Sequence, residues 1–216
     1  VSLQHYNFAV RAFTTMVKKY DPEKYTFSIH ETRTSEVLLN VRDMKSEIGI
    51  LSYSADNEKI IHKILKNYQL EFTPLMKKDT YAYVWNDHEL AGEETVSLAQ
   101  LEKYPCISFE QNSDDGFYLN EEALGNYDFK KMIKTDDRAT SMELISDLNG
   151  YSIGSGMLTG DDRILEGLVS IKLMEEDPIV IGYIYRRGRL LSDFGKSYIE
   201  ELEKYREIQV ISKGYH

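Results

Sequence analysis

A single cysteine, Cys106, stands in a chain of 216 residues. No internal disulfide can form, so the fold must rest on packing, and a reducing compartment suits it. The lone thiol also excludes a zinc knuckle; its place after Pro105, at the start of an apolar run, reads as a buried structural thiol. No apolar stretch approaches the ~20 residues of a membrane helix, and no signal-peptide pattern is read at the start. Basic charge is scarce. Twenty-six Lys and Arg against 36 Asp and Glu leave a formal charge of −10, a poor match for phosphate backbones. The one basic knot, Arg186-Arg187-Gly188-Arg189, reads as a solvated turn.

Catalytic patterns are missing too. His5, His30, His62, His88 and His216 share no metal-ligand spacing. There is no G-x-S-x-G elbow and no P-loop. Asn112-Ser113-Asp114-Asp115-Gly116 has its glycine in the wrong place for a calcium loop. Asp193-Phe194-Gly195 matches a kinase tripeptide without its companions. Gly154-Ser155-Gly156 lacks the third glycine of a dinucleotide fingerprint. The expectation is therefore no catalytic residue, no metal and no cofactor.

What is present is 42% apolar residues in a regular rhythm, enough for a sizeable core. Ala9, Phe13, Met16, Val17 and Tyr20 form the stripe of a first helix, from Gln4 to Tyr20. A strand over Tyr25–Ile29, a helix over Ser35–Met44 and a strand over Glu47–Leu51 follow. A helix over Asn57–Tyr68 and a strand over Leu70–Met76 complete this half. The stretch Leu75–Glu110 then divides the chain. It reads as a buried aromatic strand (Tyr81, Tyr83, Trp85), a polar loop, a short helix and a strand from Cys106. Ser97 and Gln100 form a capping box for that helix. The second half holds a weak helix near Leu119–Leu124, a strand over Phe129–Lys134 and a helix to Leu148, capped by Asp136 or Asp137. Asn149-Gly150 stops it with a glycine at C′. Strands Tyr151–Ile153, Leu168–Leu173 and Ile179–Tyr185 precede a last helix, Ser192–Glu207. Alternation with short links predicts an α/β protein with mainly parallel sheets, built as two lobes joined by two crossings, at Met76–Tyr83 and Glu175–Ile179.

Ligands of such sheets lie beyond the carboxyl ends of the strands. The residues there are hydroxyls: Ser2, Thr32, Thr34, Ser108, Thr140, Ser141 and Ser155. Any one of them alone reads first as a helix cap. Their recurrence in both halves suits a cleft that takes a small anion. Arg33 reads as an anion partner or as a solvent-facing cation. Glu110 and Gln111 read as contacts to an amine or amide, or as loop residues.

The order of segments resembles the effector-binding domain of LysR-type transcriptional regulators over nearly the whole chain. Ser2-Leu3-Gln4-His5-Tyr6 is similar to that family's first strand-to-helix turn, and Glu31-Thr32-Arg33-Thr34 to its second. Ser46-Glu47-Ile48-Gly49-Ile50-Leu51 stands where the family has a Leu-Asp-Leu-Ala-Ile strand. His88-Glu89-Leu90-Ala91, then Val96-Ser97-Leu98, Leu101, Pro105 and Ile107, resemble a His-Pro-Leu-Ala … Val-Ser-Leu signature. Leu148 to Ile153 resembles a late glycine turn. Glu89, Glu47 and Asn149-Gly150-Tyr151 depart from the pattern.

The resemblance implies a type II periplasmic-binding-protein-like fold of two α/β lobes joined by two crossover strands. Lobe I would hold residues 1–77 and 179–216, and lobe II residues 78–178. A winged helix-turn-helix would precede this chain, so DNA would be met only through that absent part. Effector contacts carried over by position are Ser2, Gln4, Thr32, Thr34, Ser108, Glu110, Thr140 and Ser155. The family also implies a cytoplasmic homodimer or homotetramer, with the first helix and the Tyr25–Ile29 strand at a partner's second lobe. Tyr6, Phe8 and Tyr20 fit such an interface or a core. The function implied is sensing of a small polar or anionic effector to control transcription. The alternative is a solute-binding protein of a transporter. An enzyme on this fold lacks any acid–base or nucleophile pair.

Overall fold

The computed structural model describes residues 1–21, 23–111, 119–157 and 167–206. Eleven strands and six helices alternate in it. The first sheet contains β1 (Ser2–Leu3), β2 (His30–Glu31), β3 (Ile48–Tyr53), β4 (Leu70–Lys78) and β11 (Ile179–Arg186) in the order β2-β1-β3-β11-β4. β1 runs parallel to β2 and β3, and β11 is antiparallel to both β3 and β4. Helices α1 (Asn7–Val17) and α6 (Asp193–Glu203) pack together, while α2 (Thr34–Arg42) and α3 (Glu58–Asn67) lie against β3 and β4.

β3 shows why both faces need helices. Ile48 and Ile50 enter the core that contains Phe8, Phe13 and Tyr198, and Leu51 enters the core of Val37, Leu38 and Ile61. A strand buried on both sides reads as an unbroken apolar run. Gly49 sits under α2, where a Cβ would come within 2.9 Å of Val37 and Val41.

The second sheet contains β5 (Tyr81–Trp85), β6 (Thr95–Val96), β7 (Cys106–Phe109), β8 (Met132–Thr135), β9 (Tyr151–Gly154) and β10 (Leu168–Leu173) in the order β6-β10-β5-β9-β7-β8. Helices α4 (Leu98–Leu101) and α5 (Arg138–Asp147) belong to it. The chain passes from the first sheet at β4 to the second at β5, and returns between β10 and β11. The two connections are bonded to each other. Thr80 Oγ1 donates to Asp177 O at 2.6 Å, and Leu173 N donates to Thr80 O at 3.0 Å.

Several local expectations are met, and others are corrected. Ser97 caps α4 through the reciprocal box with Gln100; Ser97 N donates to Gln100 Oε1 at 2.9 Å. Ser97→Ala should cost about 1 kcal/mol, read from the midpoint of denaturant unfolding. Asp137 is the residue that caps α5, and its carboxylate accepts from Thr140 N at 2.8 Å. At the end of α5 the left-handed residue is Asn149 (φ 51), one place before the glycine. Gly150 N closes the Schellman bond to Ile145 O at 2.9 Å. Gly150 has a packing reason instead, since a Cβ there would meet Pro105 O at 2.9 Å.

Tyr25–Ile29 forms no strand. Its Tyr25 and Phe27 rings pack on Tyr20 and Phe194, so ring contacts replace a ladder. The weak helix near Leu119–Leu124 does not form, and residues 120–124 are irregular chain. In β5 the buried face is Ala82 and Val84, both 0% exposed, and not the aromatic one. The aromatic face lies on glycine backbone: a Cβ on Gly154 or Gly167 would stand 2.5 Å from the Tyr83 or Trp85 ring. Of the two places that Phe8 fits, an interface or the core, it takes the core: it is 2% exposed and contacts Tyr6 and Tyr205. The Cys106 thiol is buried, and burial pushes its pKa up to about 12, so it is inert at neutral pH. The calcium-like run 112–116 lies outside the described residues.

Candidate functional site

The two sheets meet across a cleft whose walls are the N-terminal turn of α1 on one side and β5, β7, β9 and α5 on the other. A cavity of about 100 Å3 lies there. His5, Tyr6 and Phe8 line it from the first lobe; Phe109, Arg138 and Ser155 are among those lining it from the second. Most of its wall is apolar, with Ile145, Ile153, Met157 and Ile179 contributing. A dry wall with a few converging polar groups is the usual form of a small-molecule site.

The polar groups join the lobes. Arg138 donates to Glu31 through Nε at 3.2 Å and Nη2 at 2.8 Å. That bidentate geometry suits the planar guanidinium. Arg33 Nη2 donates to Glu110 Oε2 at 3.1 Å, and Thr34 N donates to Gln111 Oε1 at 3.1 Å. His5 Nδ1 is 2.9 Å from each oxygen of Glu121, and its Nε2 is 3.9 Å from Glu31. Burial pulls the His5 pKa down, but Glu121, by charge and hydrogen bond, and Glu31 together leave it raised. His5 lies flat on Phe109, with ring centroids 3.5 Å apart and planes 3° from parallel.

Beside this pair, Glu122 accepts from Phe109 N at 2.7 Å and Ser108 Oγ at 3.3 Å. The residue keeps some surface, yet its carboxyl is enclosed. Burial, then the neighbouring Glu121 charge, pushes its pKa up to about 7. Tyr83 faces Ser155 and the Gly156–Met157 backbone, and burial pushes its phenol up to about 12, so it stays neutral.

Of the eight residues carried over by position, Ser155 lines this cavity. Ser108 binds Glu122 next to it. Ser2 is fully buried; its Oγ is 2.8 Å from Ser46 Oγ and accepts from Asn40 at 3.1 Å. Gln4 is equally buried, donating to Thr34 Oγ1 at 2.6 Å and accepting from Ser52 N at 2.7 Å. These three side chains, Ser2, Gln4 and Thr34, thus satisfy first-lobe partners. Thr32 N donates to Leu3 O at 2.8 Å, at the edge of the first sheet. Glu110 and Thr140 are exposed. Sequence reasoning missed His5 as a cleft residue, and also Phe109, Glu121, Glu122 and Arg138. The one available signal was the adjacent Glu121-Glu122 pair within the stretch that reads as a weak helix.

No group of three or more His, Cys, Asp or Glu that could hold a metal occurs among the described residues. No helix among them is long and apolar enough to cross a membrane.

Two α/β lobes, two bonded crossovers and a cavity between the lobes define a type II periplasmic-binding-protein-like domain. Residues 23–206 match the family described as the LysR substrate binding domain, and the chain belongs to that family. It is 27% identical over 142 residues to the malolactic fermentation system transcriptional activator of Lactococcus lactis subsp. lactis (strain IL1403). That match covers 64% of this chain and 48% of the relative, so the chain spans about half the length of the curated relative it matches. Among solved structures, it is similar to the effector binding domain of QuiR in complex with shikimate: TM-score 0.60, 17% identity, 96% of each chain covered. It is also similar to the Synechocystis PCC6803 CcmR regulatory domain in complex with 2-PG: TM-score 0.61, 14% identity, 96% of this chain and 97% of that one covered.

Proposed function

We propose that this chain is the ligand-sensing regulatory domain of a LysR-type transcriptional regulator and that it binds a small polar or anionic effector between its lobes. The observation that carries this is the cavity of about 100 Å3 walled by both lobes. A ligand that touches both lobes has a different affinity for the closed and open hinge states. That difference alone shifts the equilibrium. The shift changes how subunits pair as dimers or tetramers, and so how DNA-binding segments outside this chain are spaced. The protein works in the cytoplasm and is a regulator, not an enzyme. The two bound relatives, one with shikimate and one with 2-PG, support a small polar ligand. Ser155 and Ser108 contribute to the ligand's surroundings, while Ser2, Gln4, Thr32 and Thr34 hold the first-lobe wall in shape. Glu110 and Thr140 contribute at the cleft's exposed rim.

A metabolite panel screened by thermal shift tests the reading. An effector at about 100 times its dissociation constant should add about 2.7 kcal/mol of stability. Ser152→Leu, which grows a side chain from β9 into the cavity, should abolish that gain. A ligand that stabilises both chains equally binds elsewhere and removes the cleft from the account.

A further inference from the structure

The segment 119–125 runs between the lobes, and its Glu121 and Glu122 line the cavity. Leu119 is packed into the first-lobe core with Val37 and Ile61. Asn57 Nδ2 donates to Asn120 O at 3.1 Å, and Ser52 Oγ donates to Glu121 O at 3.3 Å. Leu124 N donates to Asp177 Oδ2, on the return crossover, at 2.7 Å. Between these anchors the Glu121 carboxylate points at His5. The two side chains are 8% and 5% exposed, so the pair is shut off from water.

The His5 ring is fixed from two directions. Phe109 stacks on its face, and Glu31 stands beyond its far nitrogen. Its near edge is presented to both oxygens of one carboxylate. A cationic ring held face-on by an aromatic and offered edge-on is a receptor for an acid group. The same cavity is lined by Glu121 and by the apolar Phe8, Ile153 and Met157. It therefore has room for a compact apolar body behind an acid head.

We propose that His5 is the acid-recognising group of the cleft, and that the Glu121 carboxylate is a built-in occupant which a small carboxylate ligand displaces. This rests on the cleft being the effector site. An ammonium ligand would instead meet Glu121 and Glu122, which line the same cavity, so methylammonium is included in the test. An acid ligand exchanges one carboxylate for another on His5 and moves Glu121 away from the buried Glu122. The exchange preserves the cleft's charge.

The test is chemical rescue in the 216-residue chain. Glu121→Ala removes a group that matches acetate in size and charge. Thermal unfolding is followed near pH 6 with acetate, and with chloride at equal ionic strength. Acetate should raise the midpoint of Glu121→Ala saturably, with an affinity at least about tenfold better than for the wild-type chain. The double variant His5→Gln/Glu121→Ala should show no acetate effect beyond that of chloride. A Glu121→Ala chain that responds equally to acetate and chloride overturns the proposal, as does one that responds to methylammonium instead. If Glu121→Ala does not fold, Glu121→Gln keeps the side-chain volume, and the His5 ring proton is titrated by NMR. Its pKa should fall relative to wild type, and an unchanged value overturns the proposal. Failure of the cleft reading has a separate mark: a metabolite whose binding ignores Ser152→Leu, whatever acetate does.

Discussion

Raising the pH from about 5 to about 8 should cost the wild-type chain about 3 kcal/mol of stability through Glu122. Its carboxyl is enclosed beside Glu121, and its pKa is pushed up to about 7 from an ordinary value of 4.5. Between those two values the folded chain holds a proton that the unfolded chain has released. Folding is therefore favoured at the acid end and loses stability as pH climbs through the window. His5 works in the same direction. Its raised pKa gives stability that is fully present below 6.5 and is lost as pH rises through the folded value. Glu122→Gln removes the ionisation while its amide oxygen still accepts from Phe109 N. Most of the alkaline loss should vanish in that variant, with the smaller His5 part remaining. Urea unfolding at several pH values measures it; equal pH slopes in the two chains would show that Glu122 is not the titrating group.

The second large effect is expected at Tyr198. This side chain is fully buried on α6, and its hydroxyl donates to Ala9 O at 3.0 Å. Its ring meets Phe13 edge-on, with centroids 5.8 Å apart. It thereby fixes α1, the helix whose N-terminal turn presents His5 and Tyr6 to the cleft. Tyr198→Ala leaves a ring-sized void and should cost about 4 kcal/mol. Tyr198→Phe keeps the ring and forfeits one hydrogen bond, leaving Ala9 O its helical partner, and should cost about 1 kcal/mol. Both are read by denaturant unfolding at constant slope. Similar losses for the two variants would place the stability in the hydroxyl and would contradict the packing argument.

The elements that sequence located well are those whose causes are local. Leu168–Leu173 is a strand with the bounds its apolar run suggests. The Ser97 box forms because Ser and Gln three residues apart satisfy each other whatever surrounds them. The family resemblance, carried by residues spread over the whole chain, indicated the fold that the structure has. Failures came where distant partners decide. Tyr25 and Phe27 have strand-forming side chains, yet they pack on Phe194 from α6, and that contact replaces a ladder. The β5 sequence reads as a strand buried throughout, yet its aromatic face is only half-buried. Gly154, Gly156 and Gly167, far along the chain, make room for those rings on the opposite face.

The site was harder still. Serine and threonine at strand ends look alike whether they face a ligand or a neighbour. Ser2 finds Ser46 and Asn40, and Gln4 finds Thr34 and Ser52, pairings 30 to 48 residues apart that no local pattern announces. Conversely, Glu121 and Glu122 sit in a stretch that reads as a weak helix, where two acids ordinarily mean solvent. Only the folded chain places one on His5 and the other on the end of β7.

The bond between the two crossovers limits how the lobes can move. With Thr80 tied to Asp177, the connections behave as one narrow ribbon rather than two independent tethers. Bending across the ribbon keeps that bond, whereas sliding one connection past the other breaks it. Asp177 also holds Leu124 by its side chain, so the cleft segment is tied to the same connection. In the proposed displacement of Glu121, a pull on this segment reaches the return connection through Asp177.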